Sequence, residues 1–212
     1  MRFDAALERL ATFPVPLPTG PDSLMPVFTD GRLRPRFSPR STARAAAVLV
    51  LIYPGPDREA RIVLTERVAY DGHHSGEVSF PGGKTEPADA DAAATALREA
   101  EEEVGLDPLA AGVSILGLLD PVFIPVSDFR IQPVVAVAAR EPVLRANPSE
   151  VARILTPPVT QFLSDTGIEI VERTIRDWPL RYGGYRIEGL HVWGATARIL
   201  GQLGAVLGDD VP

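Results

Sequence analysis

The longest apolar run in this chain is Ala45 to Tyr53, and its shortness decides much of what the chain can become. A membrane-spanning helix needs roughly 20 such residues. The run is aliphatic and rich in β-branched residues, and it ends at Pro54-Gly55-Pro56-Asp57, a turn sequence. Arg61 to Thr65 follows with the same character, so the two runs are expected to pair as a hairpin. With 212 residues the chain can bury a proper core within one ordinary to large domain. The net charge of -7, from 21 basic and 28 acidic side chains, argues against a nucleic acid partner. An acidic chain can still bind a polyanionic small molecule through metal ions or a local basic cluster. There is no cysteine, which excludes disulfide scaffolds, thiolate zinc sites and a cysteine nucleophile. The first residues, Met1 to Glu8, carry acids where a signal peptide is apolar, so a cytoplasmic protein with no membrane partner is expected.

Around the hairpin, the spacing of Phe3, Leu7, Leu10 and Ala11 predicts a short first helix. Pro14 to Pro39 is rich in proline and reads as an extended arm. This sets a division between residues 1–42, a helix and arm, and residues 43–212, the main domain. Three roles are open to the arm: covering a site, supporting a homodimer, or wrapping the fold. Glu77 to Phe80 reads as a short strand stopped by Pro81-Gly82-Gly83. From about Asp91 to Val104 the pattern is helical, closed by Gly105 in the left-handed cap position. Val113–Leu119 and Ile131–Ala138 read as strands, with Pro133 suggesting an edge position or an irregular start. Ile168–Ile175 and Tyr185–Glu188 suggest a second hairpin. A final helix is expected from about Val192 to Leu207, with Ala195, Ile199, Leu203 and Val206 on one face. The sum is an α/β (α+β) chain with a mixed sheet between helices.

The chemistry concentrates between Phe80 and Leu106. At about 100° per residue, Glu102 falls near 300° and Glu103 near 40° from Glu99, while Glu101 points away at about 200°. Ala93, Ala96, Leu97, Ala100 and Val104 gather around about 115°. Three carboxylates therefore share one edge of the helix beside its buried stripe. Such like charges repel, and they sit in the last turns, where the helix dipole favours cations. Arg98 can pair with Glu102 but cannot balance three acids. A divalent cation such as Mg²⁺ or Mn²⁺ can, and it recruits phosphate oxygens as further ligands. Gly82-Gly83 supplies a loop whose backbone can come close to a metal or phosphate. A merely solvated glutamate-rich face is the competing explanation. The joint spacing of Gly82-Gly83, Arg98-Glu99, Glu102-Glu103 and Gly105 weighs against it.

This segment resembles the Nudix box of the Nudix hydrolases, which cleave a nucleoside diphosphate linked to another moiety. The resemblance implies an α/β/α sandwich with a mixed β-sheet and a catalytic loop-helix-loop. It implies that Glu99, Glu102 and Glu103 hold divalent ions, that Arg98 orients them, and that the Gly83 carbonyl adds a ligand. Where the family usually has a glutamate before the arginine, this chain has Asp89, with one residue more between. Asp89 and Asp91 are both candidates for that position, and helix capping is the favoured role, Asp91 suiting it especially well.

Val63-Leu64-Thr65-Glu66-Arg67, Gly76 and Phe80-Pro81-Gly82-Gly83 further resemble the motif of the coenzyme A pyrophosphatase branch, as do Pro125-Val126-Ser127, Pro133-Val134-Val135 and Val192–Leu200. This implies a small nucleotide substrate, coenzyme A or an acyl-coenzyme A, split into 4′-phosphopantetheine and adenosine 3′,5′-bisphosphate. It makes Arg67, His74, Gly82 and Gly83 substrate contacts. Val68 stands where the branch has a small residue, and Gly72 where it has an arginine. Gly72 keeps ADP-ribose, NADH or another nucleotide open as substrates. A non-catalytic binding module usually loses box glutamates, and all three are present; an isomerase on this fold is expected to keep a cysteine. Two more features have double readings. Asn147-Pro148-Ser149-Glu150 offers Glu150 as a distant base, but reads first as the start of a helix. Trp178, Tyr182, Tyr185 and Trp193 could stack on an adenine, but such residues more often fill cores.

Overall fold

The computed structural model describes residues 1–33, 43–68, 76–125, 127–163, 165–175 and 177–208. In chain order these form α1 (Phe3–Leu10), β1 (Val27–Phe28), β2 (Arg44–Pro54), β3 (Ala60–Ile62), β4 (Leu64–Arg67), β5 (Val78–Ser79) and β6 (Gly82–Lys84). There follow α2 (Ala92–Val104), α3 (Pro108–Ala111), β7 (Val113–Leu118), β8 (Val122–Ile124), β9 (Phe129–Ala138) and β10 (Val151–Leu155). The last elements are β11 (Ile168–Ile175), β12 (Trp178–Ile187), β13 (Leu190–Val192) and α4 (Gly194–Leu207).

The central sheet is mixed and six-stranded, ordered β3-β2-β9-β7, with β6 also paired to β2 and β8 to β9. Only β2 and β9 run parallel within it. Side chains alternate across β2 as strand geometry requires. Val48, Val50 and Ile52 face a core shared with α1 and α4. Ala47, Leu49, Leu51 and Tyr53 face a second core shared with α2. The sheet is thereby covered on both faces, the expected sandwich of helices about a mixed sheet. Two smaller antiparallel sheets flank it, β10-β4-β5 and β1-β12-β11 with β13 on β12. No helix among the described residues is long and apolar enough to cross a membrane.

Several expectations change in detail. Leu7 is exposed, and Ala6 joins Phe3 and Leu10 on the buried face of α1. The described part of the arm wraps the fold: Leu24 is in the core, Val27–Phe28 pairs with β12, and Gln202 Nε2 donates to the Pro18 carbonyl at 3.3 Å. The Arg61–Thr65 run splits at Val63, so that β3 completes the hairpin and β4 joins another sheet. The second hairpin is longer than its pattern, with Ile175 opposite Trp178.

Pro133 lies in the central strand β9, not at an edge. The N–H that proline lacks would point away from β2, to the side where β7 hands over to β8. There the Leu119 N–H donates to the Pro133 carbonyl at 3.2 Å. The reciprocal bond, which only a Pro133 N–H could make, is replaced by Gln132 Nε2 donating to the Leu119 carbonyl at 2.8 Å. Asn147–Glu150 does not begin a helix either. Asn147 closes a single turn, accepting from the N–H groups of Glu150 and Val151, and β10 follows at once. The β-branched Val151 and Ile154 of that strand pair against β4.

Candidate active site

The site begins with how α2 is seated. Asp91 caps its N-terminus, accepting from the Ala94 N–H at 2.8 Å. Gly105 ends it in the left-handed conformation, φ 63°. Ala96 and Ala100 are fully buried against Ala47 and Ala136 of the sheet, so the helix axis can approach closely. The carboxylate edge beside that stripe comes level with β6. Glu101 is exposed on the far side, as the helical arithmetic requires.

Glu103 is the deepest of the acids, 3% exposed. Its Oε2 accepts from the Gly82 N–H at 3.1 Å, and its Oε1 lies 3.8 Å from Arg67 Nη1. Glu99 lies over Gly83 so closely that any Cβ there would collide with its carboxylate. A Cβ on Gly82 would strike the backbone of Ala47 and Val48, and its φ of 157° adds to the demand for glycine. Glu102 is half exposed. Arg98 ties the outer part together: Nη1 donates to Glu99 at 3.0 Å and lies 3.3 Å from Glu102 Oε2. Its Nε and Nη2 donate to Asp89, each at 3.1 Å, and Nη2 also reaches the Lys84 carbonyl.

Burial pushes the Glu103 carboxyl up to about 7, against the opposing pull of the Gly82 N–H and Arg67. Burial raises Glu99 as well, partly offset by Arg98. Asp89 is held far below the ordinary carboxylate range by its hydrogen bonds from Arg98. Two acids that resist ionisation thus sit beside a third that stays ionised throughout, a polarised arrangement typical of functional sites.

Comparison with known proteins decides the family. A profile of the NUDIX domain matches residues 43–170. The chain belongs to the Nudix hydrolase family. It is 36% identical over 194 residues to Nudix hydrolase 22, chloroplastic, of Arabidopsis thaliana, covering 87% of this chain and 61% of the relative. It is 37% identical over 183 residues to the "Uncharacterized Nudix hydrolase NudL" of Escherichia coli K12, covering 83% of this chain and 90% of NudL. The chain therefore spans about three fifths of the plant relative's length and most of NudL's. A solved Nudix hydrolase of M. smegmatis, RenU, superposes with TM-score 0.46 at 24% identity, over 56% of this chain and 73% of that one.

Nudix hydrolases generally use divalent metal ions, and the donor set here suits one. Three carboxylates and a glycine carbonyl are oxygen donors of the kind hard cations prefer. The space over Gly83, which a Cβ would fill, brings the Glu99 carboxylate onto that backbone. Among the described residues no three acidic or histidine side chains are already gathered as a cage. Arg98 stands between Glu99 and Glu102 as their counter-charge.

The structure brings Glu99, Glu103, Arg98, Arg67, Gly82 and Gly83 together, with Glu102 at the rim. His74 and Gly72 lie outside the described residues. Capping fits Asp91 but not Asp89, which is the partner of Arg98. The inserted residue hid that role, although Asp89 accepts from the Glu86 N–H and from Thr95 as a helix approach would require. The aromatics are packed instead of presented. Tyr185 meets Phe162 edge-on in the core, and Tyr182 packs on Trp193 at 5.0 Å.

Proposed function

We propose that this chain is a divalent-metal-dependent hydrolase of diphosphate linkages in nucleoside diphosphate derivatives, with coenzyme A or an acyl-coenzyme A as substrate. The carrying observation is the registry between α2 and β6: the Glu99 carboxylate lies over Gly83, and Glu103 accepts from the Gly82 N–H. Glu99, Glu102, Glu103 and the Gly83 carbonyl hold Mg²⁺ or Mn²⁺ in this reading. The ion supplies charge neutralisation on the diphosphate and an acidified water. Arg98, anchored by Asp89, orients Glu99 and Glu102. Arg67, beside Glu103 at the end of β4, meets a phosphate, with His74 and the Gly82–Gly83 backbone as further contacts. Residues 43–212 form the catalytic unit in this reading, and residues 1–42 an N-terminal helix and arm, of which the described part, residues 1–33, packs on it.

Coenzyme A is favoured by the likeness of Val63–Arg67, Gly76 and Phe80–Gly83 to that branch, and Gly72 favours testing other nucleotides beside it. The experiment is a panel of coenzyme A, acetyl-coenzyme A, ADP-ribose, NADH, a diadenosine polyphosphate and nucleoside triphosphates, with Mg²⁺ and with Mn²⁺. Mass spectrometry should find 4′-phosphopantetheine and adenosine 3′,5′-bisphosphate released fastest. Faster cleavage of ADP-ribose or NADH moves the substrate and keeps the metal chemistry. Absence of metal-dependent cleavage throughout overturns the enzyme reading in favour of a binding module.

A further inference from the structure

The Asn147–Glu150 turn, which begins no helix, stands at the site. Four backbone hydrogen bonds fix it there. The Asn147 N–H donates to the Glu103 carbonyl at 2.8 Å, and the N–H groups of Glu150 and Val151 donate to Asn147 at 3.0 and 2.8 Å. The Val68 N–H donates to the Glu150 carbonyl at 3.0 Å. Val151 is the strand partner of Arg67. Glu150 is thus held where the end of α2 meets the end of β4, next to the Arg67–Glu103 pair. It is exposed.

The four carboxylates at this site differ in how they are engaged. Glu99 and Glu102 are bound to Arg98, and Glu103 to the Gly82 N–H. No hydrogen bond or ion pair to the Glu150 carboxylate is present among the described residues. Its negative charge nevertheless acts on both Glu99 and Glu103, disfavouring their ionisation. Carboxylates committed to a metal ion are poor proton acceptors, since the ion withdraws their electron density. A carboxylate held beside them and not committed to the ion is the better base.

We propose that Glu150 is the general base that takes the proton of the attacking water, an assignment that rests on the function proposed above. The water oxygen forms a bond to one phosphorus. The bridging P–O bond breaks with its electron pair left on the bridging oxygen, and the water proton passes to Glu150 and then to solvent. The charged groups brought near Glu150 by these contacts are Arg67 of β4, the strand partner of Val151, and Glu99 and Glu103 of α2, whose ionisation its charge opposes.

The test compares Glu150→Gln and Glu150→Asp with the parent on the preferred substrate, together with Mn²⁺ binding in the absence of substrate. Glu150→Gln should lower kcat by about 10²–10⁴-fold and remove the acidic limb of its pH profile. KM and the Mn²⁺ Kd should stay within about twofold, and Glu150→Asp should recover part of kcat with the limb restored. A parental kcat in Glu150→Gln, or Mn²⁺ affinity lost in step with rate, overturns the assignment while the function stands. A parent that cleaves no diphosphate overturns both.

Discussion

Asp89 and Arg98 are joined by two parallel hydrogen bonds of 3.1 Å, from Nε to Oδ1 and from Nη2 to Oδ2. This fork leaves Nη1 as the one guanidinium nitrogen facing Glu99 and Glu102. Asp89 therefore fixes the direction of Arg98. Asp89→Asn should lower kcat/KM by about 10–100-fold and weaken Mn²⁺ binding, as loss of an outer support does at metal sites. Glu101→Gln, on the exposed side of the same helix, should change neither. Steady-state kinetics and a Mn²⁺ titration read both.

Gly82 and Gly83 should fail in different ways. The atoms nearest a methyl at Gly83 all belong to the Glu99 carboxylate, a side chain that can swing aside. Gly83→Ala should keep its thermal midpoint within a few degrees and lose most of its activity. A methyl at Gly82 meets the β2 backbone. Gly82→Ala should lower stability by about 1–3 kcal/mol, the usual scale for a backbone held where only glycine fits. Calorimetry beside an activity assay separates the two.

Glu103 predicts a pH dependence with a definite sign. Its folded pKa of about 7 exceeds the ordinary 4.5, so the folded metal-free chain binds the proton more tightly than the unfolded one. That contribution to stability is present at low pH and is lost as pH rises through about 7. The metal-free midpoint should accordingly fall between about pH 5 and pH 7.5. A metal ion must displace the same proton, so Mn²⁺ affinity should drop about tenfold per pH unit below 7. Calorimetric titrations in two buffers of different ionisation enthalpy would count the proton released, and a count of zero near pH 6 would falsify this role for Glu103.

The substitution Gln132→Ala removes the donor that stands in for the missing Pro133 N–H and leaves the buried Leu119 carbonyl bare. The cost should be about 1–3 kcal/mol, which for a chain of this size is roughly 2–4 °C per kcal/mol in Tm. Pro133→Val in the same background returns a backbone N–H to that carbonyl and should recover much of the loss. Failure of the double variant to exceed Gln132→Ala alone would show that the side chain is not a substitute for the strand bond.

What the sequence disclosed follows from how local the causes were. Asp91, the alanine stripe and Gly105 define α2 within one segment, and helical arithmetic placed Glu99, Glu102 and Glu103 on one edge without knowledge of the sheet. Burial of Glu103 was not legible, because it depends on β6 pairing with residues 46–48 of β2, far away in the chain. Asp89 was obscured by an insertion that shifts spacing but not space. Asn147–Glu150 misled because asparagine, proline and acid suit a helix start and a tight turn equally well, and the strand pairing of Val151 and Ile154 decided between them. Pro133 misled because the substitute hydrogen bond comes from a neighbouring side chain.

The methyl groups of Ala47, Ala96, Ala100 and Ala136 act as a thickness gauge between helix and sheet. None of them is exposed, and none is near enough to solvent to meet a substrate. Yet Glu99 and Glu103 hang from the same helix, so their height above Gly82 and Gly83 is dictated by how small those residues are. A larger side chain at Ala100 would lift the carboxylates off the glycine backbone together. The calibration of the candidate active site is therefore written in the hydrophobic core, where a change would be felt first as lost turnover.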